Sequence, residues 1–279
     1  MSLLEITWTV DPAIFSIGPR EIRWYALMFV IGFYVGYKIV ERMFKNEQVN
    51  MDWLDPLLFY TFAGTIIGAR LGHCLFYAPE YYLAHPIEIL KVWEGGLASH
   101  GGVLGIIIAI YFFSKRVSHR SMLWAFDKLV TPTGLVAALI RLGNLMNHEV
   151  YGHPTDVPWA FRFIKNLHAW RQGAEPFFSL PSHPTQIYES LCYLATFGIC
   201  MWLYFKKEAW KKEGFIFGVF MICIFTSRFF IEFLKEPQEA FEESMALNMG
   251  QWLSIPFVLM GLYFVWRAIQ KSKNNIQKR

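Results

Sequence analysis

Seven apolar stretches, 22–40, 56–77, 97–114, 125–147, 184–205, 214–234 and 250–268, alternate along the chain with shorter charged connectors. Several approach the ~20 residues that carry a helix across a bilayer. None is uniformly apolar, because Arg70, His73, Arg141, Glu189, Arg228 and Glu232 fall inside them. The pattern predicts an all-α integral membrane protein with seven transmembrane helices, a single polytopic domain over 1–279. The 148–183 connector holds Pro154, Pro158, Pro176 and Pro181 and the run AFRF. It reads as a small extracytoplasmic (periplasmic) head between the fourth and fifth spans. Ser182-His183-Pro184 then opens the fifth helix, with proline in a tolerated first-turn position. Glycines four apart (Gly32 and Gly36; Gly64, Gly68 and Gly72; Gly101 and Gly105) predict close backbone approach between membrane helices.

Connector charge orients the spans. The connectors 41–52, 115–120, 206–213 and 267–279 carry 14 Lys and Arg, whereas 1–21, 78–96, 148–183 and 235–249 carry 6. The positive-inside rule puts the first set in the cytoplasm, which leaves the N-terminus periplasmic and the C-terminus cytoplasmic. Composition agrees with a membrane. Apolar residues make up 54% and charged residues only 17%, against about 25% charged in soluble domains, too little to coat a water-soluble helical globule. A net charge of +4 is no nucleic-acid footprint. Cys74, Cys192, Cys200 and Cys223 lie singly in apolar runs and suggest neither disulfide nor metal site. The first twenty residues carry Asp11 and no basic stretch followed by an apolar core, so no cleavable signal peptide is expected. There is no internal repeat.

Chemistry concentrates at a few positions. On a helix, Arg141, Asn144 and His148 share one face, as do Arg228, Glu232 and Lys235. His100 sits in GGLASHGG at the entry to the third span, and Tyr25 lies just inside the first. In the topology above, all fall in the outer half of the bilayer. Each alone has a plain reading: an ion pair, a snorkelling arginine, a capping histidine, an interfacial tyrosine. Two guanidiniums at one depth, with amides and a histidine, point instead to a site. Arginines grip phosphate with paired hydrogen bonds, and the phosphate available in a membrane is a phospholipid headgroup. A transporter also carries intramembrane charge, and other lipid-modifying transferases also meet headgroups. The sequence shows neither matched inverted halves nor a DxxD-like acidic cluster in a span.

The stretches FSIGP (15–19), RWYALM (23–28), GARLGHCLFY (68–77), VWEGGLASHGGVLG (92–105), RLGNLMNHEVYG (141–152), HPTQIYES (183–190), RFFIEFLKEP (228–237) and MGQWLSIP (249–256) together resemble the prolipoprotein diacylglyceryl transferase family. The resemblance implies a bacterial inner-membrane enzyme without metal or organic cofactor, whose partners are phosphatidylglycerol, prolipoprotein lipobox peptides and membrane lipids. A monomer is expected. The implied reaction moves a diacylglyceryl group to the lipobox cysteine thiol and releases glycerol phosphate. His100 is then the base for the thiol, with Arg141 and Arg228 on the phosphate that gains charge as it leaves. The matching stretches further imply Tyr25, Arg70, Tyr77, Asn144, Asn147, Glu149, Gly152, His183 and Glu232 as substrate-binding residues. The sequence departs from the family pattern at Ile224, where a tyrosine is common, at Lys235 and Gln238, where arginine and aspartate are common, and at His73, where some members carry tyrosine.

Overall fold

All seven apolar stretches are helical in the computed structural model, which describes residues 5–18, 20–235 and 245–277. The order begins β1 (Ile6–Thr7), β2 (Ala13–Ile17), β3 (Arg20–Arg23), α1 (Trp24–Glu47), α2 (Leu54–Phe76), α3 (Pro79–Ala84) and α4 (Ser99–Phe113). It continues α5 (Met122–Met146), β4 (Phe161–Arg162), α6 (Leu167–Arg171), α7 (Thr185–Phe205), α8 (Phe215–Ile231) and α9 (Met249–Gln277). Segments 99–118, 122–146, 185–205, 215–234 and 249–274 are long and apolar enough to cross a membrane. Helices α1, with 24 residues, and α2, with 23, are as long. Large side chains such as Phe59, Leu83, Leu262 and Trp266 remain outside the packed interior. That surface suits lipid rather than water, and the chain is a multi-pass membrane protein of mostly helical fold.

Two short strand pairs add to the all-α expectation. β1 pairs in parallel with β4, and β2 forms an antiparallel hairpin with β3. Both lie in connectors, where backbone groups outside a helix still need partners.

The chain divides into two units, one of residues 1–36 with 130–279 and one of 37–129. In the second unit, α2 and α4 meet glycine on glycine: a Cβ on Gly72 would stand 2.7 Å from Gly101 Cα, and one on Gly68 2.7 Å from Gly105 Cα. The four-residue spacing therefore does what it predicts. Val40, Phe44, Ile110, Phe113 and Trp124 form an apolar cluster there. Beside it, Glu47 holds Lys128 at 2.5 Å and accepts from Trp124 Nε1 at 2.8 Å. In the first unit, Gly32 and Gly36 let α1 pack on Val136 and Pro132. Leu145, Phe161 and Phe163 form the core under the 148–183 connector, with Trp8 and Tyr151 against them.

Candidate active site

Helix α5 ends at Met146, and the chain turns through left-handed backbone at His148 (φ 56°) and Val150 (φ 61°). The expected shared face of Arg141, Asn144 and His148 is therefore split. His148 turns inward and is buried; its Nε2 donates to Val10 O at 2.9 Å and its Nδ1 accepts from Ile164 N at 3.1 Å. With Nδ1 accepting, the ring is neutral, and burial holds its pKa below the ordinary value. His148 ties three strands of chain together.

Arg141 and Asn144 stay on the site side. Arg141 Nη1 donates to Asn144 Oδ1 at 3.3 Å, while Asn144 Nδ2 donates to Glu149 Oε1 at 2.8 Å. Only this amide orientation satisfies both neighbours. Asn147 Nδ2 reaches the same Glu149 oxygen at 3.2 Å. The backbone of this loop is held by α7, with Gln186 Nε2 donating to Glu149 O at 2.7 Å and Thr185 Oγ1 to Val150 O at 2.9 Å. Tyr25 packs against Gly143, where a Cβ would stand 2.6 Å from its ring.

The hub is Glu189, which the sequence marks only as a charge in an apolar run. It is buried, with Oε2 2.9 Å from Arg141 Nε and Oε1 2.8 Å from Lys235 Nζ. The first contact is a close charge pair rather than an aligned hydrogen bond. Tyr193, one turn along α7, donates to Glu189 Oε1 at 3.4 Å. Spacing along one segment cannot reveal a residue that pairs across helices, so Glu189 and Tyr193 escape the sequence reading.

After α8 the chain tightens into a 3₁₀ turn over Glu232–Leu234, which brings Glu232 and Lys235 onto one side. Both are buried, 3.8 Å apart. Lys235 thus completes an ion cluster with Glu189 and Glu232. Ile224 is half-buried on α8, and Gln238 lies outside the described residues. Gly152 makes room for this junction: it bridges Lys235 in antiparallel fashion and donates to His183 O at 2.9 Å, and a Cβ would strike Leu234 O and Thr185. Gly250 likewise leaves space for Glu232, whose Cδ would be 2.7 Å from an added Cβ.

Arg228 is half-buried one turn before Glu232, and among the described residues its side chain makes no hydrogen bond or ion pair. Arg141 keeps donors of its fork uncommitted.

The family model for prolipoprotein diacylglyceryl transferase matches residues 12–267. The chain belongs to this family. It is 52% identical over 271 residues to the phosphatidylglycerol–prolipoprotein diacylglyceryl transferase of Porphyromonas gingivalis, covering 95% of each chain. Proteins of the same name from Chloroherpeton thalassium (44% over 269 residues, 96% of each chain) and Bacteroides fragilis (43% over 276 residues, 95% of each) are also similar.

The other residues predicted for this transferase stand apart from the ion cluster or in the second unit. His183 belongs to a chain in which Trp159 Nε1 donates to Tyr188 OH at 2.7 Å and that hydroxyl lies 3.3 Å from His183 Nδ1. Burial, then the charge of His153, lowers the His183 pKa. In the second unit His100 is exposed at the second position of α4, directly before the glycines that seat α4 on α2. Arg70 is buried and spends its guanidinium on carbonyls of the following connector: Glu88 O at 2.5 Å, Ile89 O at 3.0 Å, Gly95 O at 2.6 Å and Gly96 O at 3.3 Å. Its geometry shows it holding the 88–96 segment. Tyr77 is exposed and stacks on His73 with centroids 5.5 Å apart.

Proposed function

We propose that Arg141 and Arg228 hold the phosphate of phosphatidylglycerol and that His100 receives the thiol proton of the lipobox cysteine. The chain is a transferase that moves the diacylglyceryl group of phosphatidylglycerol to that cysteine. The observation that carries the phosphate assignment is Arg228: a half-buried guanidinium on a membrane helix, without a protein partner among the described residues. Such a charge is costly unless a ligand anion pairs with it.

In the reaction, the thiol loses its proton to His100 and the thiolate attacks the glycerol carbon bearing the phosphate ester. A carbon–sulfur bond forms, the carbon–oxygen bond breaks, and glycerol phosphate leaves with the bonding pair on oxygen. Negative charge grows on that oxygen, so Arg228 and Arg141, the latter placed beforehand by Glu189 and Asn144, favour the transition state over the bound lipid. A histidine suits a thiol because its ordinary pKa lies near neutrality. Asn144, Asn147 and Glu149 align Arg141, Glu232 anchors Lys235, and Tyr25 supports the lipid beside Gly143. Gly152 and His183 shape the loop, while Arg70 and Tyr77 organise the 77–97 segment beside His100. The nucleophile belongs to the substrate, so Cys74, Cys192, Cys200 and Cys223 are dispensable in this scheme.

The same reading takes α1 and α2 as two further spans, giving seven, with the N-terminus and the 148–183 head on the periplasmic side of the inner membrane. The excess of basic residues on alternate connectors supports it. A single copy suffices for the reaction.

The experiment is mass spectrometry of a lipobox peptide incubated with the purified protein and phosphatidylglycerol vesicles. One added diacylglyceryl group on cysteine, with glycerol phosphate released, is expected in wild type and lost in Arg228→Ala. Full transfer by Arg228→Ala would remove Arg228 from the phosphate site.

A further inference from the structure

Two adjoining recesses lie outside the ion cluster, in the first unit, where the β2–β3 hairpin faces α6. The outer one, about 490 Å³, is lined by Glu21, Arg23, His168, Arg171 and Gln172. The inner one, about 340 Å³, shares Arg23, His168 and Arg171 and ends on Asn147 and Glu149. Arg171 holds the walls in place. Its Nε stands 3.0 Å from Asp11 Oδ1, its Nη2 2.8 Å from Glu21 Oε1, and its Nη1 donates to Glu21 Oε2 at 3.0 Å. Arg23 Nη2 shares that last oxygen at 3.0 Å. The slot is thus built by the protein's own ion pairs before any ligand arrives.

Charge decides what fits. Arg171 and Arg23 hold the Glu21 carboxyl below its ordinary pKa, so it stays ionised at neutral pH and offsets their field. An anion entering here meets cations already committed to carboxylates. What remains is a polar lining without free charge. Gln172 Nε2 lies 3.0 Å from His168 Nε2, and Asn147 Oδ1 is buried without a hydrogen-bond partner. A slot lined by polar side chains rather than apolar ones suits an extended polypeptide backbone, which presents N–H and C=O groups in turn.

We propose that this slot takes the prolipoprotein chain on the C-terminal side of its lipobox cysteine, in extended form; the proposal rests on the transfer reaction above. Direction follows from chemistry. The segment before a signal-peptide processing site is apolar, and this slot is polar and charged. Position follows from the hydrogen bonds. The inner recess ends on Glu149, which joins Arg141 through Asn144. A chain leaving a cysteine set against the Arg141-bound phosphate meets this exit. Arg23, His168 and Gln172 bind the departing backbone.

The test compares two lipobox peptides, one ending at the cysteine amide and one extended by about six residues, roughly 20 Å of chain, with phosphatidylglycerol vesicles. The extended peptide is expected to have a KM about tenfold lower at similar kcat, the mark of binding away from the reacting atoms. In the triple variant Arg23→Ala, His168→Ala, Gln172→Ala, its KM should rise to that of the short peptide. An unchanged KM ratio in the folded variant overturns the slot and leaves the transfer reaction standing. No modification of either peptide by wild type removes the reaction and the slot with it. Independently of turnover, a Cys→Ser extended peptide with a benzophenone at the third position after the serine should crosslink to Pro12, 21–23 or 167–172 of the unmodified protein. Adducts mapped elsewhere overturn the proposal.

Discussion

Replacing Glu189 by glutamine removes one charge and hardly any volume. Its carboxylate lies 2.9 Å from Arg141 Nε and 2.8 Å from Lys235 Nζ, and it is buried. At an effective dielectric near 20, each contact corresponds to about 6 kcal/mol of attraction. Desolvation of the three ions offsets most of that, several kcal/mol per ion. The net loss on removing a buried partner is then about 3–5 kcal/mol, less whatever the Gln carbonyl recovers as an acceptor. Two cations are left facing each other without their shared counter-ion, so Arg141 should swing from its place beside Asn144. A displaced transition-state donor costs on the order of 10²–10³ in kcat. Glu189→Gln is therefore expected to lower the melting temperature in detergent and to lower kcat with little change in the KM for lipid. The assay is diacylglyceryl transfer at saturating lipid, alongside a thermal melt. A variant with wild-type melting and kcat within twofold would show that Arg141 is held by something other than Glu189, and the hub assignment would fall.

Arg228→Ala should separate activity from stability: turnover falls by about 10²–10³ while thermal stability moves by no more than about 0.5 kcal/mol, since no bond within the described residues is lost. Gly152→Ala forces Leu234 O and Thr185 apart from an added methyl; a destabilisation of about 1–3 kcal/mol and loss of activity are expected, and wild-type melting would show that the bridge to Lys235 is slack. His148 is held neutral by burial, so its folded pKa is below the unfolded 6.5. Its contribution is complete above 6.5 and is lost as pH falls through the folded value; melting temperature should drop on acidification in that range, and an equal drop in His148→Asn would assign the effect elsewhere.

Much of this protein is local and therefore readable along the chain. A helix that crosses a bilayer needs about twenty apolar residues, so apolar stretches declare themselves; all seven are helical, and five are long and apolar enough to cross a membrane. The glycine spacing of α2 and α4 records their backbone contact, because only glycine on both sides permits it. Arginines inside apolar runs stand out because burying an unpaired charge is expensive, which is how Arg141 and Arg228 come to notice. Family membership follows from the same stretches. Periodicity also misleads where a helix stops. Met146 ends α5 and His148 turns into the core, and Arg70, equally conspicuous in the sequence, is consumed by carbonyls of its own connector. Which cation faces a ligand and which is already paired depends on neighbours far away in sequence. Glu189 meets Arg141 and Lys235 across 48 and 46 positions, and the slot forms where a hairpin near the N-terminus faces a helix some 150 residues later. No pattern of spacing encodes those distances. Packing of α5, α7 and the end of α8 decides them, because ion pairs and recesses are made between elements.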